Sequence, residues 1–119
     1  MFRLVIAGSR TFTDYAMLDS IISNMIRHLD HSQVEIISGH ARGADRTGER
    51  FARKNNLKLH IMPADWSKHG NAAGHIRNRE MANRSDAVVC FWDGKSPGTR
   101  GMIEYSRSIG KMALVVNYT

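Results

Sequence analysis

A chain of 119 residues with 17 Lys and Arg against 11 Asp and Glu, a formal net charge of +6 and a pI near 10.0 reads as a basic domain. It spans residues 1–119 and is long enough to bury roughly two thirds of its unfolded surface without covalent staples. The one cysteine, Cys90, excludes an intramolecular disulfide and fits a reducing cytoplasm; no apolar stretch approaches the roughly 20 residues that span a bilayer, and Met1–Ala7 is too short for a signal peptide.

In chain order, Phe2–Ala7 is an apolar run ended by Gly8-Ser9-Arg10, and it predicts a first strand. Leu18, Ile21, Ile22, Met25, Ile26 and Leu29 then recur at i, i+3, i+4 and i+7, after Thr11 and Asp14 at capping-box spacing, and predict a helix. Val34–Ile37 is the second strand and runs into Ser38-Gly39-His40-Ala41-Arg42-Gly43-Ala44-Asp45. Ala44, Gly48, Phe51 and Ala52 form the stripe of the next helix, with Gly48 allowing close approach to the sheet.

Leu57–Met62 predicts the third strand. Pro63–Asn71 has no periodicity and reads as a loop that could act as a lid before a polar helix, Ala73–Arg84, with Arg77, Met81 and Arg84 on one face. The near-continuous apolar run Ala87–Trp92 suits a strand covered on both sides. A third glycine loop, Asp93 to Gly101, leads into a helix marked by Met102, Ser106 and Ile109 and ended by Gly110; Ala113–Val116 is the fifth strand.

Strands alternating with helices predict an α/β fold: one Rossmann-like three-layer sandwich on a parallel five-stranded sheet of order 3-2-1-4-5. Right-handed crossovers bring the carboxyl ends of parallel strands to one rim. In this order the chain reverses between strands 1 and 4, so the loops starting at Gly8 and Asp93 separate and leave a crevice.

Backbone N–H groups at a helix N-terminus carry partial positive charge, and glycine lets a phosphate come close to them. Gly98, Thr99 and Gly101 fit that role; Ser9, Ser38, Ser96 and Thr99 offer hydroxyls, and Arg10, Arg42, Lys95 and Arg100 offer charge-assisted bonds. One glycine loop by itself serves a tight turn as readily, but three on one rim favour ligand binding. Neither a Walker A motif nor G-x-G-x-x-G is present, which argues against ATP hydrolysis and ordinary dinucleotide redox chemistry.

Asp45 can cap its helix or hold a ribose hydroxyl, and Arg77 and Arg79 can reach a ligand or stay solvated. Trp66 and Trp92 can stack on a base or pack against a helix, and the seven Met residues read as core filler. His40, His60 and His75 have no metal-ligand spacing, so no metal site is expected.

Gly8-Ser9-Arg10, Ser38 to Asp45, Arg77-Asn78-Arg79 and Ser96-Pro97-Gly98-Thr99 resemble, in the same order, the pocket motifs of the SLOG superfamily, which includes DNA-processing protein A and the LOG-type phosphoribohydrolases. Ala64-Asp65-Trp66 through Gly70-Asn71-Ala72-Ala73-Gly74, followed by Arg77-Asn78-Arg79-Glu80-Met81, is most similar to its short stand-alone YspA-like group of bacterial and phage proteins. The resemblance implies a nucleotide or nucleotide-derived phosphate ligand, no required cofactor, a sensing or ligand-binding role, and a homodimer. The implied pocket comprises Gly8, Ser9, Arg10, Ser38, Gly39, Arg42, Gly43, Asp45, Arg77, Asn78, Arg79, Ser96, Gly98, Thr99, Arg100 and Gly101.

Two alternatives stand beside this. LOG-type enzymes imply N-glycosidic hydrolysis with Arg77 holding phosphate and Glu104 as the catalytic carboxylate. The family's glutamate stands three residues after the loop threonine, however, where this chain has Met102 after Thr99; Glu104 is two residues further, a rotation of roughly 200° on a helix. Taking Gly101 in the threonine's place restores the register but loses the threonine. Single-stranded DNA binding draws on the basicity and on DNA-processing protein A, but such binders need a groove with several stacking aromatics.

Overall fold

The computed structural model describes all of residues 1–119. The strands β1 (Phe2–Gly8), β2 (Val34–Ser38), β3 (Lys58–Ile61), β4 (Ala87–Trp92) and β5 (Met112–Asn117) form one parallel sheet of order β3-β2-β1-β4-β5. The helices are α1 (Tyr15–Ile26), α2 (Ala44–Lys54), α3 (Trp66–His69), α4 (Ala73–Arg84) and α5 (Pro97–Ser108). The architecture is the α/β three-layer sandwich that the sequence predicts, with the same strand order. No helix is long and apolar enough to cross a membrane.

Alternation along the central strands builds two cores. Leu4 and Ile6 of β1, Val34 and Ile36 of β2 and Ala87, Val89 and Phe91 of β4 face Leu18, Ile22 and Ile26 of α1 and Phe51 and Ala52 of α2. On the opposite face, Val5, Ala7, Ile37, Val88 and Cys90 pack against Met81 and Ala82 of α4 and Met102 and Ile103 of α5. β1 and β4 are therefore apolar at successive positions, as strands covered on both sides must be. Burial in this second core pushes the Cys90 thiol up to about 12, which keeps it protonated.

The boundaries differ from the sequence expectation where local chemistry is subtle. Asp14 alone caps α1, accepting from the Met17 amide at 3.0 Å, whereas the Thr11 hydroxyl meets the Tyr118 hydroxyl at 2.7 Å. Leu29 lies beyond α1 and Ile109 at the end of α5, both exposed. Leu57 and Met62 flank β3 instead of belonging to it, and β5 extends past the predicted Ala113–Val116 at both ends.

Residues 63–72 are not one open loop: α3 and a 3-10 turn, Gly70–Ala72, occupy most of them. Asp65 starts α3 by accepting from Ser67 Oγ at 2.8 Å and the Lys68 amide at 3.1 Å, and these bonds hold its carboxyl below the usual range. One helical turn is too short to carry an apolar period.

At the amino-terminal edge of the sheet, buried Glu35 is surrounded by Arg3 at 3.4 Å, Lys58 at 3.5 Å and Arg84 at 3.8 Å. Arg84 is thus committed there, about two helical turns from Arg77. Gly48 sits where α2 crosses β1, and a Cβ at that point would lie 2.7 Å from Ile6 Cγ2. Gly48→Ala should therefore lower stability by about 1–3 kcal/mol despite its better helix propensity, as measured by urea unfolding, because the core has no room to relax. Unchanged stability would show that Ile6 re-seats freely.

Candidate ligand-binding site

The site begins where β1 and β4 stop pairing. Their register ends at Gly8 opposite Phe91, and the Ser9 amide then donates to the Phe91 carbonyl at 2.8 Å. Gly8 has φ +149°, and any Cβ there would collide with the Phe91 carbonyl. The Ser9 carbonyl accepts from the Phe12 and Ala44 amides, each at 3.2 Å, so the first turn is tied to the start of α2 as well. Gly43, with φ +91°, brings its α-carbon against that same Ser9–Arg10 backbone.

The loop after β4 is tied to Ser9 from the other side. The Asp93 amide donates to Ser9 Oγ at 3.1 Å, and the Ser96 hydroxyl lies 3.0 Å from Ser9 Oγ and 3.1 Å from Asp93 Oδ2. Asp93 Oδ1 accepts from the Ser96 amide at 2.8 Å and the Lys95 amide at 2.9 Å, which draws its carboxyl down to about 2. Since the Ser96 hydroxyl is engaged here, it does not cap α5.

That leaves the N-terminus of α5 open. Pro97 at its first position has no N–H, and the amides of Gly98 and Thr99 make no intramolecular hydrogen bond; the first engaged amide is that of Arg100, on the Ser96 carbonyl at 3.1 Å. A Cβ on Gly98 would meet no atom within 4 Å. These amides border a cavity of about 420 Å³ between the loops after β1 and β4 and the start of α4.

Arg77 of α4 crosses toward the loop after β2. Its Nη1 donates to the Gly39 carbonyl at 2.6 Å and its Nε to Asn78 Oδ1 at 2.9 Å. Burial lowers the Arg77 pKa, with nearby Asp45 opposing the shift and Arg10 adding to it. Gly39 is what lets the guanidinium through, because a Cβ there would lie 2.6 Å from Arg77 Nη1 and 2.9 Å from Asp45 Oδ2. Asp45, 4% exposed, accepts from the Ala41 amide at 3.1 Å. Burial pushes its carboxyl up to about 6 against the pull of that amide and of Arg77.

Of the residues proposed from sequence, the cavity is lined by Gly8, Ser9, Arg10, Asp45, Arg77, Asn78, Ser96, Gly98 and Thr99. Gly39 and Arg42 line an adjoining recess, and Gly43 acts through its backbone. Ser38 is buried beneath, with its hydroxyl on Glu49 Oε2 at 2.7 Å. Arg79 and Arg100 lie over the rings of Tyr105 and Trp92, at 5.0 and 5.5 Å, and neither reaches the cavity. Gly101 packs 3.8 Å from the His75 ring, measured to an added Cβ. Glu104 is exposed on α5 and does not line the cavity; Met102 does.

Sequence reasoning passed over Asn71, Gly74, His75 and Asp93, which also line it, and left Trp66 undecided between stacking and packing. The Asp93-x-x-Ser96 spacing of a side-chain-stabilised turn was a readable signal. Trp66 stands at the rim, 55% exposed, its ring 3.6 Å from where a Cβ on Gly74 would be. No three His, Cys, Asp or Glu side chains converge as metal ligands.

A family model described as the YspA, cpYpsA-related SLOG family matches residues 2–69. The "Gene 61 protein" of Mycobacterium phage D29 is 34% identical over 117 residues, a match covering 92% of each chain. No solved structure matches the chain.

Because the folded state binds the Asp45 proton more tightly than the unfolded chain, this residue's contribution to stability falls as pH rises from about 4 to about 6. At pH 8 the buried ionised carboxylate costs on the order of 3 kcal/mol. Urea unfolding of Asp45→Asn should therefore show a stability gain over the native chain that is small at pH 4.5 and grows toward pH 8. A gain independent of pH would contradict the assignment.

Proposed function

Because the chain belongs to the YspA, cpYpsA-related SLOG family, we propose that it binds a nucleotide or nucleotide-derived ligand through its phosphate, at the carboxyl rim of the sheet. The observation that carries this reading is the open N-terminus of α5. Two free amides, at Gly98 and Thr99, sit at the positive end of a 12-residue helix and face a cavity that Arg77 also borders. A phosphate there satisfies both amides and pairs with the guanidinium, whose fixed bonds to Gly39 and Asn78 hold it in position. Ser9 and Thr99 add hydroxyls, Asp45 suits a ribose hydroxyl, and the Trp66 face suits a base.

Gly98 supports the same conclusion by elimination. Neither its backbone angles nor any neighbour requires glycine, and glycine inside a helix costs roughly 0.5–1 kcal/mol relative to alanine. Close approach of a ligand gives the residue a reason that the fold does not.

The role is binding or sensing without turnover by Glu104. N-glycosidic cleavage needs a carboxylate beside the ribosyl carbon, and α5 turns the methionine, not the glutamate, toward the cavity. An extended single-strand groove is also a poor fit, since Trp66 is the only Trp, Tyr or Phe that lines the cavity.

Calorimetric titration with the four common nucleoside 5′-monophosphates at low ionic strength tests the reading. Gly98→Asp places a carboxylate in the anion's position and in the first turn of α5. It should weaken binding tenfold or more while raising stability by about 0.5–1.5 kcal/mol through helix propensity and the dipole. Arg77→Ala should weaken binding to a similar degree. Full affinity in both variants would place the phosphate elsewhere.

A further inference from the structure

Beside the main cavity lies a second recess of about 470 Å³ with no acidic residue in its lining. Arg10, Arg42, Arg46 and Arg77 border it together with His40, and none of the four arginines forms an ion pair with a carboxylate. Their visible partners are carbonyls: Arg46 Nε donates to the His40 carbonyl at 3.3 Å and Arg77 to that of Gly39. Of the two acids on α2, Asp45 lies buried beneath Arg77 without an ion-pair contact, and Glu49 is already engaged by Ser38, His40 and Arg53. His40 itself is held at 2.9 Å from Glu49 in a left-handed backbone conformation, φ +63°.

The recess is not separate from the main cavity. Arg10, Ala41, Arg77 and Trp66 border both, so the two form one trough with guanidinium groups and an exposed indole at its waist. Each half is within the size range of an ordinary small-molecule site, roughly 300–1,000 Å³. A mononucleotide held at α5 leaves the arginine half without an anion, and like-charged guanidiniums close together favour one.

We infer that the ligand of this trough is a dinucleotide, with one unit phosphate-anchored at α5 and the second in the recess bordered by Arg42 and Arg46. This rests on the nucleotide reading of the α5 site. The linking phosphate passes the waist, where Arg10 and Arg77 meet it, and Trp66 stacks on a base beside it. The shared chemistry is two nucleotides joined through phosphate, by a phosphodiester or by a pyrophosphate.

The test compares, by calorimetry at fixed low salt, nucleoside 5′-monophosphates, 5′-phosphorylated phosphodiester-linked dinucleotides and dinucleoside pyrophosphates on the full chain. At least one dinucleotide should bind roughly tenfold or more tightly than its mononucleotide, as expected for added charge-assisted contacts. The linkage preferred identifies the source. Arg42→Ala/Arg46→Ala, which alters two exposed side chains, should abolish that gain and leave mononucleotide affinity unchanged. Dinucleotides binding no tighter than mononucleotides, or a double variant that weakens both equally, overturns the inference while leaving the α5 site standing. If no probe binds and Gly98→Asp changes nothing, both readings fall together.

Discussion

How far β1 and β4 remain paired decides the shape of the whole carboxyl rim. The pairing runs to Gly8 and Phe91, where the α-carbon of Gly8 lies against a carbonyl and leaves no room for a side chain. Ser9 then acts as a knot: its amide holds β4, its carbonyl holds the start of α2, and its hydroxyl holds the loop that leads into α5. Because the helices after β1 and β4 cross to opposite faces, these two loops must separate just beyond the knot. The cavity is the consequence of that separation.

The glycines of this chain divide by what surrounds them. At Gly8, Gly43 and Gly48 an added carbon would meet backbone or core, so these residues are explained by folding alone. At Gly39 it would meet Arg77 and Asp45, so the same steric demand serves the placement of two cavity side chains. At Gly98 it would meet nothing. A position where glycine is structurally unnecessary, at the open end of a helix, separates a binding requirement from a folding one more sharply than any count of glycine loops.

The strands, their order and the helices that cover them were legible because double-sided burial leaves unbroken apolar runs and the crossover rules leave few topologies. Convergence of Gly8, Ser9, Gly98 and Thr99 followed from that topology, whereas Arg77, which from its spacing could equally have stayed solvated, entered the pocket through the family resemblance. Less legible was anything decided by local hydrogen bonding. Thr11 and Asp14 both had the chemistry of a cap, and only the course of the chain gives Asp14 the role. Four residues, Trp66–His69, make a helix without a period, so the wall containing Trp66 and Asn71 read as an unstructured loop. Which arginines face inward depends on rotamers: Arg10 turns into the cavity, whereas Arg79 and Arg100 spread over aromatic rings.

Charge shows the same difference between composition and fold. Along the sequence the excess of +6 has no visible focus. Folding gathers Arg3, Lys58 and Arg84 around Glu35 at the amino-terminal edge, and gives Arg53 and His40 to Glu49. At the other edge Arg10, Arg42, Arg46 and Arg77 border one recess without a carboxylate ion pair. The amino-terminal edge therefore holds its cations on a buried carboxylate, whereas the recess arginines have none in ion-pair contact, and the positive end of α5 opens onto the same rim as that recess. Over the recess, which no acidic residue lines, the arginines raise the local concentration of anions and speed their capture. Asp45 tempers it from below: largely ionised at neutral pH, it steadies Arg77 from a buried position and leaves the guanidinium's outer face to the cavity.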